Sequence, residues 1–142
     1  MDDEQLQRRM ARKFASRGRP GRCTLLFERL PPADQTFLLD QIALARGELP
    51  VVGGIESPTR WLLITTRQLV WRGGSAMERQ DLRELTHLRS ESPGQRKLEK
   101  SRLILETAQG DRLLEMEAGG PLFAVWNMLL AVCGLRRQHL LH

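Results

Sequence analysis

The chain of 142 residues has no tyrosine, two cysteines and three histidines. Nor does it contain an apolar run of the roughly 20 residues that a bilayer-spanning helix needs. The longest run, Leu122 to Leu135, is broken by Asn127. Each shortage removes a class of protein. Two thiols cannot build a disulfide framework or a zinc ribbon. His87 is the only histidine in the body of the chain, with His139 and His142 at its end, and no His–Cys or His–Glu spacing forms a metal motif. Without tyrosine, and with aromatics at 5%, the chain shows no stacking platform for nucleic-acid bases. Gly53-Gly54 and Gly73-Gly74 precede neither a lysine nor a helix start, so neither pair forms a phosphate loop. Ser75 and Ser101 have no base beside them. Glu115 and Glu117 share one strand face, which solvent exposure explains. The sequence therefore predicts no catalytic residue, no cofactor and no metal.

What is present is ordinary globular composition, 41% hydrophobic and 27% charged, which excludes wholesale disorder. The length suits one domain. The acidic opening Met1-Asp2-Asp3-Glu4 leads into no hydrophobic stretch, so the expected location is cytoplasmic with reduced thiols. The net charge of +5 is uneven: residues 1–22 hold seven cations against three acids, or +4. These cations are Arg8, Arg9, Arg12, Lys13, Arg17, Arg19 and Arg22. They follow a predicted helix capped by Asp2 or Asp3, on which Leu6, Met10 and Phe14 form a narrow apolar stripe. Ser16 to Arg22 reads as a linker. The plain reading of this basic arm is a segment that frays or docks loosely. The sharper readings are contact with an anionic membrane surface or with a nucleic-acid phosphate chain. Cys23 follows Arg17, Arg19 and Arg22, which would lower its pKa, whereas Cys133 lies in an apolar helical run and reads as buried and inert.

Residues 23–47 read as a helical extension packing on the body. A helix begins at Pro31-Pro32, runs to about Arg46 and stops at Gly47; it is apolar nearly all round and so needs cover on more than one side. After Pro50 the period becomes that of strands: Val51–Glu56, Trp61–Thr65, Gln68–Arg72, Ala76–Arg79 and Leu85–Ser90. A two-residue turn at Thr66-Arg67 pairs Leu63 with Val70, Ile64 with Leu69 and Trp61 with Arg72, the last as a cation–π pair. Both faces of that hairpin are apolar, so one lines a core and the helix 32–46 or the arm covers the other. Ser92 to Lys97 is a loop. In the next hairpin, Arg102–Thr107 with Arg112–Glu117, a turn at Gln109-Gly110 sets Leu105 against Leu114, Leu103 against Met116 and Arg102 against Glu117. Gly119-Gly120-Pro121 opens a last helix with Leu122, Val125, Trp126, Leu129 and Cys133 on one stripe. Gly134 is its expected end.

The run Trp61-Leu62-Leu63-Ile64-Thr65-Thr66-Arg67-Gln68-Leu69-Val70-Trp71-Arg72 carries a resemblance. With the Arg102–Glu117 hairpin and the Trp126 helix, residues 48–135 resemble the bacterial pleckstrin-homology-like and GRAM-like domains. The resemblance implies an α+β fold: a bent antiparallel sheet of about seven strands, closed by a C-terminal helix in which Trp126 plugs the core. The extra N-terminal helices lie outside it. It implies a binding module for phosphoinositides, peptides or partner domains. Lipid-binding members carry cations on the first strand and the loop after it; here that strand has none and its loop offers only Arg60. A rim for an anionic ligand remains in Arg60, Arg67, Arg72, Arg96, Lys97 and Lys100, for which a solvated or packing role is the plainer account. The leading functional expectation is a non-enzymatic protein–protein module, such as a small bacterial adaptor, regulator or toxin-neutralising partner, using sheet edges and residual apolar helix faces. Self-association fits the same apolar excess. Peripheral binding to anionic lipid at the inner membrane face through the arm comes second, and nucleic-acid binding by the arm third.

Overall fold

The computed structural model describes residues 1–16, 21–74, 76–91 and 101–138. Among them are three helices, α1 (Asp3–Ser16), α2 (Pro32–Gln41) and α3 (Gly120–Arg137). Eight strands accompany them: β1 (Thr24–Leu26), β2 (Pro50–Ser57), β3 (Arg60–Thr65), β4 (Gln68–Gly73), β5 (Met77–Asp81), β6 (Leu85–Ser90), β7 (Arg102–Thr107) and β8 (Gly110–Glu115). The fold is α+β and every pairing is antiparallel. One sheet has the order β1-β2-β3-β4-β5 and the other β6-β7-β8. The expected loop Ser92–Lys97, the residues Arg17 and Arg19, Ser75, and the tail from His139 lie outside the described residues.

The β3–β4 hairpin has the expected register, with Leu63 opposite Val70, Ile64 opposite Leu69 and Trp61 opposite Arg72. Its two faces serve two cores. Leu62, Ile64, Leu69 and Trp71 join the main core with α1, α3 and the second sheet. Trp61, Leu63 and Val70 face Phe27, Leu30, Leu38 and Ile42, so α2 and the segment before it cover the other face. The cation–π pair is displaced, however: Arg112 lies over Trp71, 5.1 Å from the ring centroid, while Arg72 Nε donates to Gly74 O at 2.9 Å.

Five expectations are corrected. Helix α2 ends at Gln41, not near Arg46, because Ile42 turns to an extended backbone (φ −139°, ψ 150°) and buries its side chain. Being short, α2 is covered on one side only; Leu38 is its buried residue and Leu39 is exposed. The β7–β8 turn is Ala108-Gln109, so Leu103 faces Leu114, Leu105 faces Arg112 and Arg102 faces Glu115. Thr107 Oγ1 sets this turn by accepting from Gln109 N (3.1 Å) and donating to Gly110 O (2.7 Å), with Gly110 at φ 115°. A two-residue shift leaves every side chain on its own face, so Leu103, Leu105 and Leu114 stay inside. Helix α3 runs through Gly134 to Arg137, because Leu135 still has a core to enter and Arg136 donates to Leu85 O (3.4 Å). Trp126 is half-buried at the edge of the core, stacked on Phe123 (5.7 Å between centroids), while Leu122, Val125, Met128 and Leu129 fill the interior.

Helix α1, the first part of the basic arm, is docked on the body. Asp2 caps α1 reciprocally with Gln5: Gln5 N donates to Asp2 Oδ1 (2.8 Å) and Asp2 N to Gln5 Oε1 (3.1 Å). Leu6, Met10 and Phe14 are buried in the main core against α3. Burial of three such side chains contributes about 1.5–3 kcal/mol each. Gln7 donates to Pro50 O and Asn127 of α3 donates to Lys13 O, which hold the helix along both flanks.

Candidate interaction surface

Ionic and polar groups in this chain fall into those consumed internally and those left free. The Thr65–Gln68 turn belongs to the first kind. Thr65 Oγ1 accepts from Arg67 N (3.1 Å) and Gln68 N (3.0 Å) and donates to buried Glu48 Oε2 (2.5 Å). Gln68 Nε2 and Ala45 N complete the Glu48 carboxylate. Thr66 Oγ1 accepts from Leu49 N and donates to Asp3 Oδ1 (2.6 Å). Arg67 grips the same Asp3 through both Nε (3.2 Å) and Nη2 (2.8 Å), and its Nη2 also donates to Arg46 O. The Arg67 guanidinium beside Asp3 holds that carboxyl below its usual range. The Thr-Thr-Arg turn is thus a knot that fastens α1 and the 45–49 segment to the sheet.

Of the expected cationic rim, the three described members are each engaged within the fold. Arg60 pairs with Glu56 (3.1 Å) and Glu115 (3.6 Å), Arg67 with Asp3, and Arg72 with a backbone carbonyl. Arg96, Lys97 and Lys100 lie outside the described residues. At the start of β1, Glu117 accepts from the backbone N–H groups of Arg22 (2.5 Å), Cys23 (3.2 Å) and Thr24 (3.0 Å). Burial alone would push this carboxyl up, but the three amides outweigh it and hold it below the usual range. Cys23 behaves opposite to the expectation from its arginine neighbours. Burial and the negative charge of Glu117 push its thiol up to about 11. Glu117 lies just past β8, facing β1 and not β7, which sequence pairing could not indicate. Cys133 is buried, and burial raises its thiol as well.

The open edges of the two sheets are bridged. Arg112 of β8 donates to Glu78 and to Arg79 O of β5 and stacks on Trp71, a single side chain spanning the two edge strands. Met77 and Leu113, on these edge strands, are among the exposed large apolar side chains.

The outward face of α1 is different. Arg8, Arg9, Arg12 and Lys13 are exposed and take part in no ion pair among the described residues; exposed Arg22 is likewise unpaired. At 100° per residue, Arg8 and Arg12 point directly away from the buried Leu6–Met10–Phe14 stripe. Between α1 and the β1–β2 edge runs a groove of about 290 Å³, floored by Ala11, Leu26, Phe27 and Val51, with Arg8 and Glu28 at its rim. The sequence marks the cations but not the groove, because its walls come from three separate segments that meet only when α1 docks. Among the described residues no three His, Cys, Asp or Glu side chains gather as a metal site, and no helix is long and apolar enough to cross a membrane. No family model, curated protein or solved structure matches the chain.

Proposed function

We propose that the chain is a non-enzymatic protein-binding module with a pleckstrin-homology-like body, whose contact surface is the exposed side of α1. The order of β2 to β8 followed by one closing helix supports that body, with β1, α1 and α2 as additions to it. One observation carries the functional reading: among the described residues, four cations on one short stretch of α1 take part in no ion pair, and one of them, Arg8, borders an open groove. Isolated surface charges of one sign steer and select partners. Insertion of the arm into a bilayer loses its basis, since Leu6, Met10 and Phe14 are core residues.

Affinity capture on the full chain tests this. The wild-type chain is expected to retain a protein partner that Arg8→Glu/Arg12→Glu loses and that Arg79→Gln, on β5 at the far edge of the sheet, keeps. Identical capture by the wild type and the reversed variant would overturn the reading. So would sedimentation of the chain with anionic vesicles without any captured protein.

A further inference from the structure

We infer that the groove between α1 and β1 receives an acidic polypeptide segment bearing one apolar anchor side chain. This rests on the protein-binding reading above and names the partner's chemistry. Arg8 to Lys13 spans about 7.5 Å of helix, so four positive charges sit within one and a half turns. Arg8 and Arg12 share the outward side of the helix, about 40° apart at 100° per residue, and each can take a carboxylate in the two-pronged fashion a lysine cannot; Arg9 and Lys13 point to the flank away from Ala11. Beside Arg8 the apolar floor of Ala11, Leu26, Phe27 and Val51 opens at about 290 Å³. That is at the lower limit of small-molecule and cofactor pockets, and it suits a single large side chain.

The surroundings decide between kinds of anion. A bilayer surface or a duplex presents dense charge over an extended area. Pressed onto α1, either would also meet exposed Asp2 and Glu4 on the first turn and Glu28 at the groove rim. A discrete segment can set its carboxylates on Arg8 and Arg12, on the outward side of α1, and turn its apolar residue past Glu28 into the groove.

The probe is a synthetic helical peptide with about four glutamates at i, i+4 spacing and one leucine, titrated into the full-length protein by amide NMR. A Glu→Gln peptide, a Leu→Ser peptide, phosphatidylserine vesicles and a short DNA duplex serve as comparisons. The acidic peptide is expected to bind with shifts centred on Ala11, Leu26 and Val51. Arg8→Gln/Arg12→Gln should weaken it about tenfold, and raising salt from about 50 to 300 mM should weaken it several-fold. Arg79→Gln should bind as wild type, and both altered peptides should bind less tightly. The inference is overturned if the acidic peptide does not bind, if the Gln peptide binds equally, if the shifts map elsewhere, or if vesicles or duplex bind more tightly. Failure of the peptide while captured protein still depends on Arg8 and Arg12 removes this inference alone; loss of both removes the function proposed above. Unchanged thermal melting of the variants, whose altered side chains are exposed, keeps the comparison sound.

Discussion

Glu117 Oε1 accepts a hydrogen bond from the Thr24 amide at 3.0 Å, joining positions 93 residues apart. With the Arg22 and Cys23 amides it forms the tie between the end of the second sheet and the edge strand of the first. Glutamine at 117 keeps one acceptor and aims an NH₂ at donors. Glu117→Gln is expected to lower stability by about 1–3 kcal/mol in urea unfolding.

The same tie has a pH signature. The folded carboxyls of Glu117 and Asp3 titrate below their ordinary values, so the folded chain binds fewer protons than the unfolded one. Their contribution is complete above the unfolded pKa of about 4 and is lost as pH falls through the lower folded pKa. Unfolding of wild type and Glu117→Gln should therefore converge on acidification. A gap that stays constant down to pH values well below the carboxylate range would show that Glu117 does not act through its charge.

Cys23 should be a slow thiol. With its pKa near 11 the thiolate is scarce at neutral pH, whereas an ordinary cysteine titrates near 8.5. Alkylation followed by peptide mapping should be about a hundredfold slower at Cys23 than in the unfolded chain. Glu117→Gln should accelerate it, because the neighbouring negative charge is gone. Fast alkylation in the native wild type would contradict the arrangement.

Met10 lies in the main core with 1% of its surface exposed. Met10→Ala should cost about 2–5 kcal/mol, as buried methionine truncations do. An effect under about 0.5 kcal/mol, the range of surface substitutions, would mean that α1 is the loose arm its charge suggested.

Gly53 marks a close approach. A Cβ there would sit 2.6 Å from Leu38 Cδ1 and 2.9 Å from Leu30 Cδ1. Gly53→Ala is expected to destabilise by about 1–3 kcal/mol through overpacking, read as a lowered melting temperature. A neutral result would show that these leucines have room to retreat. The glycine pair that carries no phosphate-loop signal thus has a packing role: Gly53 admits α2 and Gly54 admits β1, whose Thr24 Oγ1 would lie 2.8 Å from an added Cβ.

The register of the β3–β4 hairpin was legible, because alternating apolar residues and a short Thr-Arg turn specify it locally, whereas the cation over its tryptophan comes from Arg112 on another strand. So were the cap, the stripe and the cations of α1, which depend on spacing within one helix. The β7–β8 register was not, because moving the turn by one residue shifts the pairing by two and keeps the same side chains inside, and the Thr107 hydroxyl fastens the observed turn. The end of α3 depended on whether Leu135 found a core, and the fate of Cys23 on Glu117, a residue distant in sequence. Local pattern determined most of the strands and the first and last helices, but not β1 or the short, one-sided α2. Tertiary structure decided which charges are spent on each other and which remain on the surface, because most of the ion pairs among the described residues, Asp3–Arg67 and Glu78–Arg112 among them, join segments that meet only in the fold.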